Sequence, residues 1–180
     1  MKNKKVLFFG ANLFFALILL NCSGSKEPHI GEWKSASSSG ELNYLILNKD
    51  NKAILSMDGM RMGGDNYTLV DTGIEIKMEI TYEIDYEKDP IWIDFSMYPV
   101  DVKFSEGSES LTSEQKQLVK EMILSEKERN PSMDKGIIRF LSHNQMEFQG
   151  SEGGWENPLA SRPTEFNSES SVYVLFSKEK

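Results

Sequence analysis

Between residues 74 and 86 the chain alternates without a break. Ile74, Ile76, Met78, Ile80, Tyr82, Ile84 and Tyr86 fall between Glu75, Lys77, Glu79, Thr81, Glu83 and Asp85. A period of two puts one apolar and one charged face on an extended strand; on a helix, residues three and four apart would mix the two kinds. Thr72-Gly73 just upstream reads as a tight turn. Ile91, Ile93, Phe95 and Met97 repeat the pattern beyond a turn at Asp89-Pro90. Shorter strands are predicted over 42–47, 53–57, 66–70, 136–141, 145–149 and 171–177. Runs such as Asn48-Lys49-Asp50-Asn51, Gly63-Gly64-Asp65-Asn66 and Ser142-His143-Asn144 separate them and supply turn chemistry. Short strands joined by tight turns predict an antiparallel meander that closes on itself.

One segment, near 112–129, breaks the pattern. Leu111, Leu118, Val119, Met122 and Ile123 share a helical stripe among Glu, Lys and Gln. Thr112 with Gln115 fits a capping box, and Asn130-Pro131 supplies a stop. The expectation is one inserted amphipathic helix that packs on the sheet or covers a barrel end, a ligand lid being the sharper alternative. A membrane-spanning barrel is excluded, because it needs many strands of similar length and aromatic girdles.

The N-terminus carries a separate signal. Lys2, Lys4 and Lys5 precede an almost wholly apolar run over 6–20, and Leu19-Leu20-Asn21-Cys22 ends it. A basic start and a short apolar centre suit a secretory leader, whereas a spanning helix needs roughly 20 apolar residues. Cys22 is the single cysteine of the 180-residue chain. Its place resembles a bacterial lipobox at Leu19 and Cys22 and departs from it at Asn21, where Gly, Ala or Ser is usual. The expected division is a lipoprotein signal peptide over 1–21, a flexible tether over 22–29 beginning at lipidated Cys22, and one β domain over 30–180. With a single cysteine the core has no intramolecular disulfide, so burial alone must hold it. Losing three lysines with the leader takes the formal charge from −8 to −11. Such an acidic surface repels phosphates, so nucleic acid is not an expected partner.

Reactive constellations are sparse. His29 and His143 are the two histidines, no Gly-x-Ser-x-Gly elbow occurs, and no glycine-rich phosphate loop is present. No catalytic residue, cofactor or metal is assigned, and the chain is not expected to be an enzyme. Met57, Met60 and Met62 around Arg61 read as thioethers filling gaps at a strand end, with copper(I) the alternative. Trp155, in Gly153-Gly154-Trp155, reads as folding over the barrel mouth or gripping a partner.

Four stretches carry a family resemblance. They are Ile30-Gly31-Glu32-Trp33; Tyr82-Glu83-Ile84-Asp85 with Asp89-Pro90-Ile91-Trp92-Ile93-Asp94-Phe95; Gly136-Ile137-Ile138-Arg139-Phe140 with Met146 and Phe148; and Arg162-Pro163-Thr164-Glu165-Phe166 ahead of the last strand. In order and spacing the chain resembles a lipocalin-like bacterial domain family found in exported proteins. Members often have Tyr where Ile138 stands and a cysteine near Gln149. The resemblance implies a mainly β, lipocalin-like barrel and brings no enzymatic activity. Within that frame Trp33 is expected to plug the barrel base with its N–H on a carbonyl. Gly31 is expected to allow a bend or a close backbone approach. Arg162, held extended by Pro163, is expected to pair with Asp85 or Asp94. The role read from the whole is binding at the cell envelope, in the outer membrane and through a lipid anchor. The partner is either a small apolar ligand in or at the barrel, or another envelope protein met by a barrel with a filled core.

Overall fold

The computed structural model describes residues 27–36, 42–57, 60–71, 73–129, 132–153 and 159–178. The leader, Cys22, the first part of the tether, Asn130-Pro131 and Trp155 lie outside the described residues. Ten strands form in chain order: β1 (Gly31–Ala36), β2 (Leu42–Leu47), β3 (Lys52–Met57), β4 (Met60–Met62), β5 (Tyr67–Asp71), β6 (Ile74–Asp85), β7 (Ile91–Phe104), β8 (Ser132–Ser142), β9 (Gln145–Gln149) and β10 (Tyr173–Ser177). The helix α1 (Ser113–Arg129) interrupts them between β7 and β8.

Every ladder is antiparallel, and chain neighbours are sheet neighbours from β6 through β10 and from β1 through β3. Two further pairings close the ring: Lys34 of β1 with Ser177 of β10, and Lys52 and Ala53 of β3 with Thr81 and Ile80 of β6. The result is a closed eight-stranded barrel. β4 and β5 lie outside the ring, on β3 and β6 where those strands part, and Thr68 Oγ1 of β5 donates to the Arg61 carbonyl of β4 at 3.2 Å.

Alternation decides which side chains enter the barrel. Ile80 and Tyr82 of β6, Ile93 and Phe95 of β7, Leu45 and Leu47 of β2, Met146 and Phe148 of β9, and Val174 and Phe176 of β10 belong to one buried cluster with Trp33. Ile84, Ile91, Met97 and Phe140 pack against it. Each large side chain taken fully out of water contributes about 1.5–3 kcal/mol, so a core of this size stabilises the fold without a covalent staple. Glu75, Lys77, Glu79, Glu83 and Asp85 occupy the opposite face of β6. Charged outward positions are the reverse of a lipid-facing barrel.

β7 runs well past the predicted Met97. Lys77 pairs with Asp101 but Met78 with Pro99, which leaves Val100 as an extra residue in a bulge. The bulge switches parity, so odd positions face the core before it, and buried Val102 occupies an even position after it. β8 pairs with β7 only as far as Met97, and α1 packs on β7. An otherwise open strand edge is covered in this way.

The cap of α1 is reciprocal: the Thr112 N–H donates to Gln115 Oε1 at 2.8 Å, and the Gln115 N–H donates to Thr112 Oγ1 at 3.3 Å. The apolar stripe expected to pack is divided. Val119 and Ile123 are half-buried, whereas Leu118 and Met122 are exposed. Lysine stems take their place: Lys120 Nζ reaches Asp101 Oδ1 at 2.9 Å and the Val102 carbonyl at 3.3 Å, and Lys116 Nζ lies 5.6 Å from the Phe104 ring centre.

Of the tether expected over 22–29, only residues 27–29 are described. Ile30 N–H closes a turn on the Glu27 carbonyl at 3.2 Å, and His29 is 7% exposed. Residues 27–29 are packed onto the barrel rather than free, because Lys178 and Tyr86, both remote in sequence, supply partners for them.

Candidate functional site

The barrel base is built around Trp33. Its indole is fully buried, and Nε1 donates to the His29 carbonyl at 2.7 Å. Below it lies Lys178, the residue after β10. Lys178 Nζ donates to the carbonyls of Pro28 (2.8 Å) and Ile30 (2.6 Å) and sits 4.3 Å from the Trp33 ring centre. Burial holds the Lys178 ammonium below its ordinary pKa. Gly31 has φ +132°, and a Cβ there would stand 3.1 Å from Lys178 Cε. The close approach that Gly31 permits is therefore by a side chain, not by a second backbone. His29 Nδ1 hydrogen-bonds the Tyr86 hydroxyl, and its ring stands edge-on to Tyr82 at 5.6 Å. Desolvation lowers the His29 pKa and pushes Tyr82 and Tyr86 up to about 12.

A second constellation lies on the outside of β7 and β8, where residues 159–172 cross as a strap. The Arg162 fork faces Asp94: Nη2 donates to Oδ2 at 2.7 Å, and Nη1 lies 2.6 Å from Oδ1 as an ion-pair contact. Nη1 also donates to the Gly136 carbonyl at 2.7 Å, and the guanidinium carbon lies 4.3 Å from the Trp92 ring centre. Of the two expected partners, Asp94 takes Arg162. Asp85 instead accepts from the Glu87 N–H at 3.0 Å and holds the turn that leads to Pro90. Beneath the strap Ile137 is fully buried although it belongs to the outward set of β8, and Gln149 is bracketed by Ser170 Oγ and the Asn167 N–H. Pro163 contributes to a cleft on one side of the strap.

Two clefts flank this strap. One of about 550 Å³ is bordered by Asp89 and Pro90 before β7, by Arg139 of β8 and by Thr164, Glu165 and Phe166 of the strap, and it reaches the edge of the core at Ile91, Ile138 and Phe140. Arg139 is engaged by Glu147 at 2.7 Å and stacks on Phe166. The other, about 410 Å³, is lined by polar groups including Gln149, Ser151, Ser161 and Thr164. Both are bordered by strap residues, and the barrel axis is occupied by the aromatic and aliphatic core.

No family model, curated protein or solved structure matches this chain.

The geometry must therefore speak from its own chemistry. Among the described residues no three His, Cys, Asp or Glu side chains are grouped to hold a metal ion. Of the methionine cluster, Met62 packs against the core and Met60 is half exposed; the Met57 side chain is outside the described residues. His143 is exposed in the β8–β9 turn. What the surface offers is shape and apolar contact at the strap, and a charged clasp at the base.

Sequence reasoning missed Lys178, His29, Tyr86 and the half-buried Asp134. Lys178 sits in Ser-Lys-Glu-Lys, which reads as a solvated tail, and nothing near His29 marks it as packed. Asp134 accepts from Ser151 Oγ at 2.8 Å, and burial raises its pKa. The outward-set position of Ile137 gives no hint that a distant strap covers it.

Proposed function

We propose that this chain is an exported lipoprotein, cleaved after residue 21 and anchored through Cys22, whose lipocalin-like barrel binds a component of the cell envelope with its outer surface. The supporting observation is the filled axis: Trp33, Phe95, Ile80, Ile93, Ile138 and Met146 are all nearly or fully buried in one cluster, while both clefts are bordered by the strap. A filled barrel favours recognition at the rim or wall over carriage along the axis. Acidic surface and sparse reactive groups suit a non-enzymatic role in an aqueous space outside the cytoplasm, at the outer membrane. Glu27 lies five residues beyond Cys22, so an extended link spans at most about 18 Å. On this reading the turns at 48–51 and 86–90 are nearest the bilayer, and α1 is at the far end.

A second reading is favoured by the cleft of about 550 Å³, whose lining includes Pro90, Ile91 and Phe166. A small apolar ligand fits there, at the barrel rather than in it.

The anchor is tested by metabolic labelling with radioactive palmitate. The label is expected on the parent chain and not on Cys22→Ala, and an unlabelled parent refutes the anchor. A photo-crosslinker at Thr164, in intact cells, is expected to trap one envelope protein. Native mass spectrometry showing a co-purified lipid, with no cross-link, moves the assignment to the second reading.

A further inference from the structure

Residues Glu27, Pro28, His29 and Ile30 are held across the barrel base by contacts that depend on one imidazole and one ammonium. Lys178 Nζ donates to the carbonyls on either side of His29, at Pro28 and Ile30. The His29 carbonyl takes the Trp33 indole N–H at 2.7 Å, and its ring is enclosed by Tyr82 and Tyr86. We propose that this segment is a proton-sensitive latch: neutral His29 clamps it over the Trp33 indole, and a proton on the imidazole releases it.

The groups facing His29 set the direction. From its own turn Glu27 favours the charged ring, while burial and Lys178, from beyond β10, oppose it, burial most strongly. Tyr82 of β6 and Tyr86, just beyond it, stay neutral up to about 12 and offer no compensating anion. Asn48, in the β2–β3 turn, accepts the Tyr82 hydroxyl at 2.6 Å, and Asp50 of that turn acts on Tyr82. A proton on His29 therefore places a second cation beside Lys178 in a half-desolvated site with one carboxylate near. His29 is held below its ordinary 6.5. The clamp is complete above that value, weakens as pH falls through it, and has lost its full contribution below the pKa of the closed state. Closed population drops about tenfold for each unit separating the two pKa values. If the anchor proposed above is present, release lengthens the link to the bilayer by four residues, about 14 Å. The latch itself does not need the anchor.

The test is an NMR titration of the full chain in detergent micelles from pH 8 to 4.5. Exposed His143 is the reference for the His29 ring signals. Hydrogen exchange of the Trp33 indole N–H and the Ile30 amide reports opening. Expected is exchange that accelerates at least tenfold, beyond its intrinsic pH dependence, in step with the His29 titration. In His29→Gln, which cannot titrate, both protons stay protected at pH 5. Protection that survives the His29 titration in the parent, or that His29→Gln loses with the same pH profile, overturns the proposal. Should His29→Gln not fold, Tyr86→Phe, which lacks the hydroxyl that binds Nδ1, is expected to open at higher pH. An unchanged profile in that variant also overturns the latch. Palmitate labelling is unaffected by either result, so the latch and the anchor fail separately.

Discussion

Replacing Arg162 with Met keeps the aliphatic stem and removes the guanidinium that ties the strap to the barrel. Asp94 Oδ1 is buried from solvent, and the guanidinium beside it is the charge that compensates it: Nη1 lies 2.6 Å away, although its hydrogens point to the Gly136 carbonyl. Without Arg162 a carboxylate oxygen stays buried without the guanidinium that compensates it, and the Gly136 carbonyl loses its side-chain donor. Breaking a fully buried pair costs about 3–5 kcal/mol. The Asp94 side chain is 30% exposed, so solvent recovers part of this, and the expected loss is about 2–4 kcal/mol. For a chain of this length about 3 kcal/mol corresponds to a fall in Tm of roughly 6–12 °C. The assay is urea unfolding at pH 7 on the parent, Arg162→Met, Asp94→Asn and the double variant. Neutralising Asp94 in the Arg162→Met background is expected to restore part of the loss, giving a coupling of about 1–3 kcal/mol. A single variant within about 0.5 kcal/mol of the parent, inside the range of an ordinary surface change, would show that the strap is not held by this fork.

Three other outcomes follow from particular contacts. A Cβ at Gly136 would stand 2.7 Å from the Phe148 ring and 3.1 Å from the Gln149 carbonyl, so Gly136→Ala is expected to lose about 1–3 kcal/mol in urea unfolding. The raised pKa of Asp134 destabilises the fold once the group ionises, an effect absent below its ordinary 3.8 and growing as pH rises through the folded-state value. Asp134→Asn keeps an oxygen for Ser151 and is expected to raise the unfolding midpoint at pH 7 but not at pH 3; an equal shift at both would contradict the assignment. Thr112→Ala removes half of the reciprocal cap, at a cost of about 1 kcal/mol. Amide exchange in the first turn of α1 should accelerate before that of β9.

How much was legible depended on how local the cause was. The turn chemistry and the two long alternating runs place β6 and the first half of β7 within a residue, because a strand's inward and outward faces are written in its own sequence. The capping pair Thr112 and Gln115 is equally local. The second half of β7 was missed because the bulged Val100 shifts the parity, so Val102 no longer continues the set begun by Ile93 and Phe95. The strap was missed as a covering layer because Ile137 and Gln149 look like outward positions until a segment more than ten residues downstream lies across them.

Sequence alone determined that this chain forms strands with one apolar face and carries one inserted helix. Period-two patterning is a property of neighbouring residues, so no contact is needed to read it. Tertiary structure decided which charges became buried. Lys178 beneath Trp33, His29 between two tyrosines and Asp94 under Arg162 owe their environments to residues tens of positions away. Desolvation and pairing act through space, and only closure of the barrel brings β1 and β10 together so that a terminal lysine and an N-terminal histidine share one site.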